Sequence, residues 1–208
     1  MAWVFTIVCI GGLAATLYAE TRSPMQKRIP KMVAATAFIA VALAVGALDT
    51  TFGRIMVVGL ALSWFGDLFL TYNGRTPFVA GLVSFLAGHV AYVIAFVNRG
   101  LDDGFYLLLV AVAVVAIPVM RWLMPTVPKE LKGPVIAYIG VISLMVATAG
   151  ATNSADADWR IPIGALAFYI SDIFVARDRF ASPGLINRYL GLPLYFGGQL
   201  LLAWAAGG

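Results

Sequence analysis

The sequence is poor in the residues on which soluble enzymes build thiol and metal chemistry. Its 208 residues hold one cysteine, Cys9, and one histidine, His89. A lone cysteine excludes an internal disulfide framework and a dithiol redox pair. A hydrolytic zinc site takes three protein ligands, commonly several His or Cys, so Asp-Asp-His is the one metal set left open, and the residues point to no metal and no cofactor. No Gly-x-Ser-x-Gly elbow accompanies Ser63 or Ser171, which weakens a serine nucleophile. Charge is scarce as well: 12% of residues are charged, about half the ~25% of a soluble domain.

What fills the chain instead is apolar sequence, 62% of all residues. Eight apolar segments are long enough to cross a bilayer at roughly 18–20 residues each, near 2–19, 31–48, 55–72, 78–97, 104–124, 132–150, 159–176 and 186–206. The expected fold is an all-α integral membrane protein of eight transmembrane helices in a single domain spanning 1–208. The first segment lacks the positive flank of a cleaved signal and is expected to be retained. Arg22, Lys27, Arg28, Lys31, Arg75, Arg121, Lys129, Lys132, Arg177, Arg179 and Arg188 fall in odd-numbered loops and their flanks; Arg54, Arg99 and Arg160 fall in even ones. That alternation follows the positive-inside rule, placing the odd loops in the cytoplasm and both termini outside. The net charge of +4 therefore reads as topology, not as nucleic acid binding, with anionic headgroups as a second attraction.

One stretch occurs twice. Gly59, Asp67 and Phe69 of the third segment align with Gly164, Asp172 and Phe174 of the seventh at one constant offset of half the chain. The chain then divides into halves of about 1–100 and 101–208. With an even number of crossings in each, these form parallel four-helix repeats related by an axis along the membrane normal. Both aspartates are expected at one level, roughly 8 Å beneath the cytoplasmic headgroups at 1.5 Å per residue.

Ionised groups inside an apolar segment are costly and seldom placed without a use. Segments three, four, seven and eight gather Ser63, Asp67, His89, Tyr92, Ser171, Asp172, Asn187, Tyr195 and Gln199, while the other four read as scaffold. Two close carboxylates in a low-dielectric site cannot readily both ionise. One is then held protonated as an acid beside a charged partner, which suits general acid–base chemistry. The blander alternatives are that Asp67 and Asp172 pair with loop arginines such as Arg75 and Arg177, and that His89, Tyr195 and Gln199 are interhelical hydrogen bonders. Among local signals, Pro24 and Pro30 are expected to interrupt helix in the first loop. Thr76-Pro77, Pro134 and Pro162 mark helix starts, and Pro118 and Pro193 disturb segments five and eight. Asp156 and Asp158 form a solvated outer loop anchored by Trp159.

Ser63-x-x-Gly66-Asp67, Phe78-x-x-Gly81-Leu82-x-x-Phe85-x-x-Gly88-His89-x-x-Tyr92, Ser171-Asp172 and the late Gln199, taken as an ordered set, resemble the YhhN-like lysoplasmalogenase family of polytopic membrane enzymes. The residue before the histidine, usually Ala there, is Gly88 here. The resemblance implies a lysophospholipid substrate within the membrane and hydrolysis of its vinyl ether bond to a fatty aldehyde and a glycerophospho-ethanolamine or -choline. Asp67 and Asp172 would be the acid–base pair. Ser63, His89, Tyr92, Ser171, Asn187, Tyr195 and Gln199 would bind or orient the substrate. Arg75, Arg177, Arg179 and Arg188 would meet the phosphate, with the alkenyl tail running past His89 and the site facing the cytoplasmic leaflet. The alternative from another class is a small proton- or cation-coupled transporter using the same Asp and His set.

Overall fold

A computed structural model of the chain describes residues 1–22, 24–152 and 158–208. Asp156 lies outside the described residues. Among those described, the chain forms eight α-helices: α1 (Ala2–Ala19), α2 (Pro24–Ala44), α3 (Thr51–Leu70), α4 (Arg75–Arg99), α5 (Phe105–Leu123), α6 (Lys129–Gly150), α7 (Arg160–Ala176) and α8 (Leu185–Ala205). A short 3-10 turn, Ala47–Asp49, precedes α3, and a π-helical turn, Arg177–Ala181, joins α7 to α8. The β-pairing among the described residues is a single bridge between Leu101 and Thr152. Five helices, α1, α3, α4, α5 and α6, are long and apolar enough to cross a membrane, as befits a multi-pass membrane protein. Of the rest, α7 has 17 residues, α2 opens on Gln26, Lys27, Arg28 and Lys31, and α8 carries Asn187, Arg188 and Gln199.

The prolines are where local expectation and structure part. Pro30 does not break the first loop; it lies inside α2, which already begins at Pro24. Pro134 likewise sits inside α6 rather than starting it. In both cases a run of good helix formers precedes the proline, Gln26-Lys27-Arg28 in one and Lys129-Glu130-Leu131-Lys132 in the other, so helix winds ahead of it. Pro77 and Pro162 stand third in α4 and α7 instead of first. The first four N–H groups of a helix have no intrahelical partner, so a proline in the opening turn costs no bond and cannot fix which residue starts it. Gly74, not Thr76, is the N-cap of α4.

Helices α1 and α2, α3 and α4, and α7 and α8 pack as antiparallel neighbours along their lengths. Further contacts run from α2 to α3 and α8, and from α6 to α7 and α4. Small residues set the closest of these. A Cβ on Gly164 would stand 3.0 Å from the carbonyl oxygen of Gly198, so α7 and α8 approach backbone to backbone, as helices do in lipid where small residues face each other. The core between the helices holds Phe38, Met56, Leu60, Phe96, Phe168, Phe196 and Leu202, all fully buried. Large apolar side chains also cover the outside, among them Ile7, Ile94, Leu107, Val110 and Val114. An apolar exterior of this extent is the surface of a protein solvated by lipid.

Helix α5 stands apart. It packs against α6 and touches the π-helical turn, and of its residues only Ala116 and Leu123 are buried.

Candidate active site

Asp67 is placed by α3, whose start is fixed when the Thr50 hydroxyl accepts from the Gly53 N–H at 2.9 Å. Four turns later Asp67 emerges near the helix end, with only 2% of its side chain exposed. Both carboxylate oxygens are engaged. Lys31 Nζ of α2 lies 3.0 Å from Oδ1, and the Tyr195 hydroxyl of α8 donates to Oδ2 at 2.6 Å.

Asp172 near the end of α7 is held differently. The Tyr138 hydroxyl of α6 donates to its Oδ2 at 2.6 Å. His89 Nε2 of α4 stands 3.6 Å from the same oxygen, beyond hydrogen-bond length. The Asp172 side chain is 16% exposed and faces the cavity. Each aspartate thus accepts one short tyrosine hydrogen bond, but only Asp67 has an ammonium partner.

Both carboxylates open on one cavity of about 530 Å³. Its mouth is polar, lined by Glu20, Lys27, Lys31, Asp178, Arg179, Asn187 and Arg188. Much of the remaining lining is apolar, with Leu82 of α4, Val119 and Leu123 of α5, and Val135, Ile139 and Ile142 of α6. Ionic contacts hold the mouth in shape. Glu20 takes Lys27 at 3.0 Å and Arg188 at 2.8 Å, and Arg188 reaches on to Asp178 at 3.4 Å. Asp178 accepts from the Gly184 N–H at 2.8 Å and the Asn187 amide at 3.2 Å. Arg177 donates to Asn187 Oδ1 at 2.7 Å. Arg179 lies over the ring of Phe78, 4.3 Å from its centroid. It makes none of the ion pairs found among the described residues.

The residues expected from the sequence divide into three groups. Asp67, Asp172, Ser171, Asn187, Tyr195, Arg179 and Arg188 line the cavity. His89, Ser63, Tyr92 and Gln199, all fully buried, sit behind its wall. There Phe168 packs against both His89 and Tyr195, with centroids 4.5 Å and 5.2 Å away. Arg75 and Arg177 are also absent from the wall; Arg75 pairs at 3.8 Å with Glu130, both largely exposed. The Ser171 hydroxyl is bonded back to the Phe168 carbonyl at 2.6 Å. Behind the wall the Tyr92 hydroxyl donates to Gln199 Oε1 at 2.7 Å. Tyr92→Phe leaves that buried oxygen without its donor, at a cost of about 1–3 kcal/mol, and is expected to lower the thermal unfolding midpoint of a chain that still folds.

Three residues of the site lay outside the sequence expectation. Lys31 stood at the very start of the second segment and was counted with the flanking topology charges; α2 begins at Pro24, which puts Lys31 about two turns inside the helix, where it reaches Asp67. Tyr138 lies on α6, one of the helices taken as scaffold. Glu20 closes α1 and is 5% exposed while ligated by two cations. Among the described residues no group of three His, Cys, Asp or Glu is placed to hold a metal ion.

Residues 3–206 match the YhhN family. The chain is 32% identical over 158 residues to "Lysoplasmalogenase TMEM86A" of Bos taurus, covering 72% of this chain and 63% of that protein. It is 32% identical over 154 residues to the Homo sapiens protein of the same name, with the same coverage. To "Lysoplasmalogenase TMEM86B" of Homo sapiens it is 29% identical over 153 residues, 74% of this chain and 63% of that one. The chain thus spans just under two thirds of the length of these relatives. No solved structure matches it.

Proposed function

The chain belongs to the YhhN family, and from that premise we propose that it is a membrane hydrolase. It cleaves the vinyl ether bond of lysoplasmalogens to a fatty aldehyde and a glycerophospho-ethanolamine or -choline. The observation that carries this reading is two carboxylates, each bonded to a tyrosine hydroxyl at 2.6 Å, opening on one cavity lined in part by charged residues and in part by apolar ones. A lysolipid has the matching parts: a charged headgroup, a scissile bond at the junction, and one hydrocarbon chain. Its phosphate meets Arg179 at the mouth. Its chain runs along Leu82, Val119, Leu123, Ile139 and Ile142, and not past His89, which lies behind the wall.

Enol ether hydrolysis begins with protonation of the carbon β to the ether oxygen, giving an oxocarbenium ion. Water adds to that cation, and the hemiacetal collapses to aldehyde and glycerol hydroxyl. Such a reaction asks for one carboxylic acid as proton donor and one carboxylate to stabilise positive charge, as in glycoside hydrolysis. Asp67 and Asp172 supply the two groups. Tyr138 and Tyr195 fix their rotamers, and His89, Tyr92 and Gln199 form the packed polar layer behind them.

The proposal extends to architecture. All eight helices cross the bilayer, in two parallel repeats of about 1–100 and 101–208. The pairing of helices supports this, since exchanging α1–α4 with α5–α8 in order carries α3 with α4 onto α7 with α8, and α2 with α8 onto α6 with α4. The two repeats form one transmembrane domain. The basic residues of the odd loops support a cytoplasmic mouth and extracytoplasmic termini.

The test is aldehyde release from a 1-alkenyl lysophospholipid by the pure chain in detergent. Release is expected without added metal. No turnover of any ether or ester lysolipid, together with proton-coupled flux in vesicles, would establish the transporter reading instead.

A further inference from the structure

The two aspartates are related by sequence, yet the structure surrounds them unequally. Asp67 has both oxygens engaged, one of them by an ammonium, and borders the cavity with little of its side chain exposed. Asp172 has one oxygen engaged by a neutral hydroxyl and keeps several times more of its side chain exposed. Lys31 itself is only 13% exposed on its side chain. A buried ammonium is costly unless paired, and here its pairing partner is the carboxylate.

Resting on the hydrolase reading, we propose that Lys31 is a positioning residue that fixes the division of labour: it holds Asp67 as the standing anion and leaves Asp172 as the proton donor. The steps then balance. Asp172 gives its proton to the β carbon of the vinyl ether and becomes a carboxylate, while Asp67, still charged, faces the oxocarbenium ion. Asp172 takes a proton from the water that adds to the cation. It then hands a proton to the departing glycerol oxygen as the hemiacetal hydroxyl returns one. Water is consumed, aldehyde and alcohol are formed, and both carboxyl groups finish as they began. Lys31 transfers nothing and acts through Asp67.

The rival role for Lys31 is direct. It also lines the cavity, so it could be one more cation for the lipid phosphate. The two roles separate in kinetics. Lys31→Gln keeps a hydrogen-bond donor and removes the charge. It is expected to lower kcat about 10–100-fold, the loss seen when residues that orient metal ligands from behind are removed, with KM nearly unchanged. Lys31→Arg is expected to restore most of kcat. In an Asp67→Asn background, Lys31→Gln is expected to cost nothing further, in rate or in unfolding midpoint, because two residues acting as one unit are not additive.

A raised KM at unchanged kcat would overturn the proposal in favour of phosphate binding. So would a Lys31→Gln loss that multiplies with that of Asp67→Asn. The unfolding midpoints of the four chains in that cycle report the coupling of Lys31 to Asp67 even where the double variant turns over too slowly to measure. A wild-type chain that releases no aldehyde, with the midpoints still coupled, would sink the hydrolase reading and leave the ion pair as structure alone. Midpoints that are additive would sink the pairing itself.

Discussion

Asp172→Asn is expected to lower kcat for aldehyde release by about 10³-fold, within the 10²–10⁴ range of a lost general acid, while KM moves little. The change is nearly isosteric, so the packing of α7 against α8 is untouched. What it removes is the proton that the vinyl ether carbon must receive before anything else can happen. The amide can still take the Tyr138 hydrogen bond on its oxygen, which lies 2.6 Å from that hydroxyl in the parent chain. The variant is therefore expected to fold and to unfold at a temperature close to that of the parent. Saturable binding of lysolipid with no aldehyde formed is the outcome foreseen. A folded Asp172→Asn chain that keeps a tenth or more of the parent rate would remove Asp172 from the chemistry.

The second large effect is on folding. Gly53→Ala is expected to destabilise the chain by about 2 kcal/mol, the middle of the range for overpacking a tight interior. On helix propensity alone the exchange should help, by about 1 kcal/mol. Gly53, however, lies where a Cβ would meet the backbone oxygens of Ala47 and Ala206. One precedes α3 and the other follows α8, and backbone cannot turn aside as a flexible side chain does. The control is Gly197→Ala within α8, where an added Cβ has nothing within 4 Å and propensity should act unopposed. Unfolding midpoints in one detergent, lower for Gly53→Ala and equal or higher for Gly197→Ala, would bear this out. Equal shifts in both would mean that the close approach of the Ala47 and Ala206 backbone to α3 carries no weight.

How much could be read in advance depended on the scale of the signal. The eight apolar segments each became a helix, because hydrophobic length is a property of many residues at once. Asp67 and Asp172 stood out because a carboxylate in such a segment is rare, and both do open on one cavity. Tyr195 and Gln199 of the eighth segment were both expected at the site, yet of the two only Tyr195 reaches the cavity; which residues of a helix meet a void is set by its neighbours and not by its own sequence. Lys31 was missed for a chain of reasons beginning with one proline. With Pro30 read as loop, Lys31 stood at the edge of the second segment and was counted with the cytoplasmic topology charges, whereas α2 starts at Pro24 and sets Lys31 about two turns in, beside Asp67. Tyr138 gave no signal, since one tyrosine in an apolar helix is ordinary until its partner is known. The arginines were over-read in the other direction. Four were expected at a phosphate, but Arg75 turns to Glu130, Arg177 to Asn187 and Arg188 to Glu20 and Asp178, leaving Arg179, which lies over the Phe78 ring and makes none of the ion pairs among the described residues.

The loose attachment of α5 bears on how rates should be measured. Val119 and Leu123 of that helix form part of the apolar wall of the cavity, while among the described residues α5 packs mainly against α6, with a smaller contact to the π-helical turn. Its remaining surface is solvated by acyl chains or detergent tails. A lysolipid that enters along such a wall would do so by lateral diffusion in the amphiphile phase. The quantity that fills the site is then the mole fraction of substrate among the amphiphiles around the protein. Doubling the detergent at fixed lysolipid halves that fraction and acts as a twofold dilution, although the bulk concentration has not changed.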